Sequence, residues 1–356
     1  MREALFAFLG SDLAAANPSS LHALGRAAQA LVKDAETSIL KSFRVTPGPW
    51  KVTFTSGGTE ANRLAVRAGL ARGAGSRWLL SEVEHAGVLD LVPELEREGV
   101  RVERLKPAHE GEVRFDIGTL GTTTLLSVIG VGNETGLIQA PLTSHILRAD
   151  VAPNESRPSY HCDFIAGWGK VALDLSDPGA PDLVTIAGHK LGAPGGIGAI
   201  VHRSTFPISR AGTPNLAGIV ALKALADHVA DLAGEYSRLA PLRDAFERDL
   251  RMRIPRVRIT GLESPRVPNV SHFTIPGLKK DLSLVAQLDL RGFAVSAGSA
   301  CASQIPEPSH VLLAMGYSDI DARNSLRISL HPGNTSADLD GLLHALAEIL
   351  RRHEAL

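Results

Sequence analysis

Five places in this chain combine residue types and spacings that suit catalysis. Lys190 follows the apolar run Leu183-Val184-Thr185-Ile186-Ala187 through Gly188 and His189, with Gly192, Pro194, Gly195, Gly196 and Gly198 beyond it. An amine at the end of an apolar strand can be desolvated, which lowers its pKa and makes it nucleophilic toward an aldehyde. A snorkelling surface lysine is the plainer alternative. Asp163 closes Tyr160-His161-Cys162-Asp163. A carboxylate there needs a partner, for which a pyridinium nitrogen is suitable, or else it caps a helix. Thr55-Ser56-Gly57-Gly58-Thr59-Glu60-Ala61-Asn62 runs through two glycines into a helix start. That geometry aims backbone N–H groups at an anion, although an ordinary capped turn has the same pattern. Cys301 lies in the small-residue loop Ser296-Ala297-Gly298-Ser299-Ala300-Cys301-Ala302-Ser303, where nothing buries it and a reactive thiol is expected. Arg327, alone in the apolar strand Ser325-Leu326-Arg327-Ile328-Ser329-Leu330, needs an anion: a substrate carboxylate or an internal ion pair.

The elements that must position these groups alternate. Strands are expected at Lys51–Thr55, Arg77–Ser81, Thr124–Val131, Tyr160–Asp163, Leu183–Ala187 and Gly198–His202, with helices such as Thr59–Arg72 and Gly87–Glu98 between them. This is the pattern of an α/β protein with a mostly parallel sheet covered by helices. Residues 214–251 read as two helical segments hinged at Pro241. Further strands are expected at Arg256–Thr260, Asn269–Thr274, Phe293–Ser296 and Ser325–Leu330, followed by a closing helix capped by Thr335 and Ser336. They form a smaller C-terminal α/β layer. A phosphate cradle, a nucleophilic lysine, an acid for a pyridine nitrogen, a thiol and a carboxylate clamp together are what pyridoxal phosphate chemistry on an amino acid requires.

Composition narrows the alternatives. The 356 residues carry 37 Lys and Arg against 38 Asp and Glu, a net charge of -1, so bulk attraction to nucleic acid or to an anionic membrane is not expected. No apolar run reaches the roughly 18 residues of a membrane span, and two cysteines are too few for a disulfide framework, so a cytoplasmic protein is expected. The chain lacks a Gly-Lys-Ser/Thr phosphate loop, a His-Glu-x-x-His helix and a Cys-x-x-Cys pair. Gly130–Gly136 has the wrong spacing for a dinucleotide turn. His161-Cys162-Asp163 cannot converge on a metal, because neighbouring strand residues point to opposite faces.

The ordered motifs resemble the cysteine desulfurases of the class V aminotransferase-like group. Asn17-Pro18-Ser19-Ser20-Leu21-His22-Ala23-Leu24-Gly25-Arg26 resembles the family's early motif, Thr55–Asn62 its phosphate turn and Glu84-His85-Ala86-Gly87-Val88 its ring-stacking histidine segment. Asn133-Glu134-Thr135-Gly136, Gly188-His189-Lys190 and Arg327 follow in the family's order, and residues 296–303 resemble the cysteine loop of the branch serving iron–sulfur cluster assembly. The resemblance implies a pyridoxal-phosphate transferase type I fold. It divides the chain into a large cofactor-binding domain, residues 17–230, and a small domain of residues 1–16 and 231–356.

It further implies that Lys190 tethers pyridoxal 5'-phosphate and moves the substrate Cα proton, that His85 stacks on the ring, and that Asp163 pairs with the ring nitrogen. Gly58, Thr59, Gly188 and His189 would line the phosphate side, and Asn133 would approach the ring hydroxyl or substrate. Thr213 would reach the phosphate of a neighbouring subunit in a homodimer, and Arg327 would hold the carboxylate of L-cysteine. Cys301 would take the sulfur as a persulfide and pass it to an acceptor protein, a scaffold or sulfur carrier. Some family features are altered: the Ala-Thr-Thr segment before the early motif and the glycine-rich loop between Val201 and Ala211 are missing. Ala166 replaces a glutamine, Ala187 a serine, and Gly132 the first asparagine of Asn-Asn-Glu. Another β-lyase, a selenocysteine lyase or transaminase, and a non-catalytic homologue that binds partners in sulfur trafficking are the competing readings.

Overall fold

The computed structural model describes residues 1–71, 76–108, 110–115, 120–139, 157–278, 281–298 and 307–353. Short β-branched and apolar runs become strands β1 Trp50–Thr55, β2 Arg77–Ser81, β3 Arg101–Leu105, β4 Leu125–Ser127, β5 Ser159–Asp163, β6 Leu183–Ala187 and β7 Gly198–Arg203. They form one sheet in the order β1-β7-β6-β5-β4-β2-β3. β7 is antiparallel to both β1 and β6, whereas β6, β5, β4, β2 and β3 run parallel. β5 and β6 are buried along their whole length, as a sheet covered on both faces demands. β3 is absent from the sequence-based expectation. Its charged Arg101, Glu103 and Arg104 obscure the strand pattern but suit its place at the sheet edge.

Helix Gly58–Leu70 lies over β4–β7 and buries Ala61, Ala65 and Val66 against Trp78, Leu80 and Leu125. The helix expected over Gly87–Glu98 is broken into Ala86–Leu89 and Val92–Arg97, with Pro93 opening the second piece. Between residues 214 and 253 there are three helices rather than two: Leu216–Asp227, Val229–Ser237 and Ala240–Arg253.

A second sheet, β10-β9-β8, is antiparallel and consists of β8 Arg258–Ile259, β9 Val270–Thr274 and β10 Ser325–Ser329. The closing helix Ser336–Arg352 begins with reciprocal bonds between Thr335 and Asp338 and buries Leu339, Leu342, Leu343, Leu346, Ile349 and Leu350. Phe293–Ser296, expected as a strand, contributes only the single bridge of Ser296 with Arg327.

The chain divides into two units. The first holds residues 1–105, 115–130 and 141–233 and contains the seven-stranded sheet; the second holds 106–114, 131–140 and 234–356. The expected assignment of residues 1–16 to the small domain is therefore corrected. Helix Arg2–Leu9 packs on Leu216–Asp227 of the first unit. The second correction moves residues 131–140, including Asn133, into the second unit. There Leu137 bridges Arg266, and Gln139 Oε1 accepts from the Val113 N–H. No helix among the described residues is long and apolar enough to cross a membrane.

Candidate active site

The first unit gathers its candidate residues where the parallel strands end. Gly198, the first residue of β7, pairs with Thr55 at the end of β1 and with Ala187 at the end of β6. A Cβ at Gly198 would lie 2.7 Å from the Gly57 carbonyl carbon, so only glycine allows the two backbones to approach this closely. The turn Gly57-Gly58-Thr59 then enters helix Gly58–Leu70, whose first intrahelical bond runs from Ala61 N–H to Gly57 O. The N–H groups of Gly58, Thr59 and Glu60 precede that bond and carry the positive end of the helix dipole. Glu60 accepts from Ser56 N–H and Oγ and from Arg210, which fixes the turn from outside. His85, at the head of the next connection, accepts from Gly87 N–H at Nδ1, 3.0 Å away. Thr59 is its neighbour: a Cβ at Gly87 would meet His85 Nδ1 at 3.2 Å and Thr59 Oγ1 at 3.5 Å.

Asp163 ends β5 and is buried. Its Oδ1 accepts from Ile165 N–H at 3.0 Å, a local turn, and its Oδ2 accepts from Asn62 Nδ2 at 2.7 Å. Burial pushes its carboxyl above the ordinary range, while those two bonds and the nearby His85 and Lys190 pull it back. Gly188, His189 and Lys190 form a short 3-10 turn after β6. A Cβ at Gly188 would press on Ala193 and Leu222, so glycine lets the turn pack under helix Leu216–Asp227. Lys190 is exposed, the plainer of the two readings of a lysine there: the turn carries it beyond the apolar strand. Burial, then Lys190, His85 and Lys170 lower the pKa of His189, and Lys190 and His85 also act on Asp163. Thr213 is exposed in the connection from β7 to helix Leu216–Asp227. Ala187 is buried at the end of β6, and Ala166 offers its carbonyl to Lys170 Nζ at 3.2 Å.

In the second unit, Arg327 on β10 donates from Nη1 to the Asn133 carbonyl at 3.0 Å. Its Nε is buried without a hydrogen-bond partner among the described residues. Burial lowers its pKa and Glu134 opposes that effect. Gly132 fits because Thr135 Oγ1 stands 2.6 Å from where a Cβ would be, which accounts locally for the glycine in place of asparagine. Cys301 lies outside the described residues.

The sequence reading passes over Asn62, Thr185 and Ser127, polar residues with their side chains wholly buried around Asp163. Their one sequence mark is a polar residue interrupting an otherwise apolar inward face. It also misses Glu84, which accepts from Ser81 Oγ and from the Ile129 N–H. Burial is the largest cause that pushes Glu84 up to about 8, and Asp163 adds to it. The folded pKa is raised, so the stability that the protonated carboxyl contributes is complete below its ordinary 4.5 and is lost as pH rises to about 8. Glu84→Gln keeps the acceptor and the neutral charge. Urea unfolding should show the variant losing roughly 1–4 kcal/mol less than the parent between pH 5 and 8. Parallel curves would refute the buried proton.

The donor set fits pyridoxal phosphate: an anion turn held open by Gly198, a fixed carboxylate, an imidazole and an amine gather where the central strands end. Comparison with known proteins leads to the same place. The model of the aminotransferase class-V family matches residues 9–207 and 207–342. A cysteine desulfurase of Cereibacter sphaeroides is 34% identical, over 99% of this chain and 93% of the relative. An IscS-like cysteine desulfurase of Mycobacterium tuberculosis is 34% identical, over 94% and 90%. The solved NifS-like protein of Rickettsia africae superimposes with a TM-score of 0.84 at 26% identity, covering 98% of this chain and 95% of that one. The expected fold is borne out, and the chain belongs to the class-V aminotransferase family, among its cysteine desulfurases.

Proposed function

We propose that this enzyme converts L-cysteine to L-alanine with pyridoxal 5'-phosphate and places the sulfur on Cys301 for transfer to an acceptor protein. The observation that carries the reading is Asp163, fixed at the end of β5 by Asn62 and Ile165 and electrostatically within reach of Lys190 and His85. When bound, the cofactor supplies an electron sink for the pair left at the substrate Cα. Gly58, Thr59 and His189 would hold its phosphate, Asp163 would face its ring nitrogen, and Lys190 would be the tethering amine. Lys190 then removes the Cα proton and delivers a proton during turnover, with His85 assisting. Arg327 clamps the substrate carboxylate through its unmatched Nε, and Asn133 lies beside it in the second unit. The Cys301 thiolate attacks the substrate sulfur. An S–S bond would form and the substrate's C–S bond would break, its electron pair going to Cβ, which takes a proton delivered by Lys190 with His85 assisting to become the methyl group of alanine. Thr213 serves the neighbouring subunit of a homodimer.

The test is an absorption spectrum of the purified protein with added pyridoxal phosphate, before and after L-cysteine, with product analysis. A yellow protein, a spectral change on substrate and equimolar alanine and mobilised sulfur are expected. A protein that stays colourless overturns the reading. Turnover of selenocysteine or another amino acid alone would assign a different lyase or transaminase activity. Ala166 and Ala187, where the family has hydrogen-bonding side chains, favour weaker retention of the cofactor than in relatives that keep them.

A further inference from the structure

A chain of buried polar groups crosses the sheet beneath the candidate site and ends on Asp163. Trp78 on β2 donates from Nε1 to Ser127 Oγ on β4 at 2.9 Å. Ser127 Oγ is 3.2 Å from His161 Nδ1 on β5, and His161 Nε2 is 3.2 Å from Asn62 Oδ1. Thr185 Oγ1 on β6 also donates to Asn62 Oδ1, at 2.5 Å, and Asn62 Nδ2 donates to Asp163 Oδ2 at 2.7 Å. Trp78, Ser127, His161, Asn62 and Thr185 have no exposed surface. Both ends dictate the direction of the chain. The indole N–H only donates, so Ser127 accepts it and gives its own hydrogen to His161 Nδ1. A carboxylate only accepts, so Asn62 turns its NH2 toward Asp163 and its oxygen toward His161 and Thr185. His161 is therefore the neutral tautomer with hydrogen on Nε2.

Asn62 lies one turn inside the helix whose first turn includes Gly58 and Thr59. The same rigid element thus carries both the glycine turn and the amide that fixes Asp163.

We propose that Asn62 and His161 are positioning residues: the one-way relay from Trp78 through Ser127 and His161 orients Asn62, and Asn62 holds Asp163 in place as an acceptor for the ring nitrogen. The last role rests on the proposed use of pyridoxal phosphate; the relay itself does not. Burial lowers the His161 pKa to about 3, consistent with a ring that stays neutral. The titratable groups acting on Asp163 are His85 and Lys190, with Glu84 and Cys162 also nearby.

The first experiment records the ring nitrogens of His161 by 15N NMR in the cofactor-free protein between pH 5 and 8. The relay requires a constant Nε2–H neutral tautomer; a Nδ1–H tautomer, or titration near the ordinary value, overturns it. The second uses Asn62→Ala, His161→Leu and the double variant in the cofactor-loaded enzyme. Each single variant should lower kcat about 10- to 100-fold with little change in KM for L-cysteine, and shift the pH midpoint of the cofactor's visible absorption. Because His161 acts through Asn62, the double variant should be no worse than Asn62→Ala. Additive losses, or unmoved absorption midpoints, overturn the positioning role. Failure of the parent protein to bind pyridoxal phosphate at all would sink the proposed function instead, and the NMR result would still decide the relay.

Discussion

Lys190→Ala should abolish desulfurase turnover, lowering kcat about a thousandfold or more, because in the proposed mechanism one side chain is both tether and proton carrier. Borohydride treatment of the parent enzyme should fix the cofactor irreversibly, with the label on the Lys190 peptide by mass spectrometry. In Lys190→Ala no label should appear. Lys190→Arg separates the two contributions of the amine. Arginine keeps the positive charge that Lys190 presents to Asp163 and His189, but its guanidinium is protonated at any working pH and does not attack an aldehyde. The arginine variant should bind cofactor more tightly than the alanine variant and remain as inactive. If either variant turns over L-cysteine near the parental rate, Lys190 is not the tether. The exposure of Lys190 is consistent with this role, because the amine must be reached by an incoming aldehyde.

Much of this site is legible in the sequence because its parts are local. The candidate anion turn is one continuous strand–glycine–helix segment, and the structure forms it at Thr55–Asn62. Lys190 and Asp163 are legible as polar residues that end apolar runs, and the runs themselves become β6 and β5. What escapes is whatever depends on partners distant in the chain. Asn62 bonds to a residue 101 positions away, and Ser127 and His161 meet only because β4 and β5 are neighbours in register. Nothing in a single strand announces such a pairing. His161 is a case in point. Strand alternation turns Cys162 to the face opposite His161 and Asp163. The same alternation puts His161 and Asp163 on one face, where a hydrogen-bonded relay replaces coordination. The two-unit division was hardest to read: residues 131–140 join the second unit through the Leu137–Arg266 bridge, a contact that spans well over a hundred residues.

Burial separates Cys162 from the proposed sulfur chemistry. Cys162 sits in the middle of the sheet on β5, fully buried, and burial with the nearby Asp163 and Glu84 pushes its thiol well above the ordinary range. Such a thiol stays protonated and unreached, so it cannot accept sulfur. Cys301, flanked by serine, alanine and glycine, is the remaining candidate. Cys301→Ala should still bind pyridoxal phosphate and still change its absorption when L-cysteine is added, because Lys190, Asp163 and Arg327 are untouched. Sulfur release and alanine formation should fall about a thousandfold or more, since water is a poor acceptor for the sulfur that the thiolate would take. In the parent enzyme, one turnover without added reductant should leave a persulfide on the Cys301 peptide, which a thiol then discharges as sulfide. Cys162→Ala should leave both measurements nearly intact and change only packing. Persulfide on Cys162, or undiminished sulfur release by Cys301→Ala, would reverse the assignment.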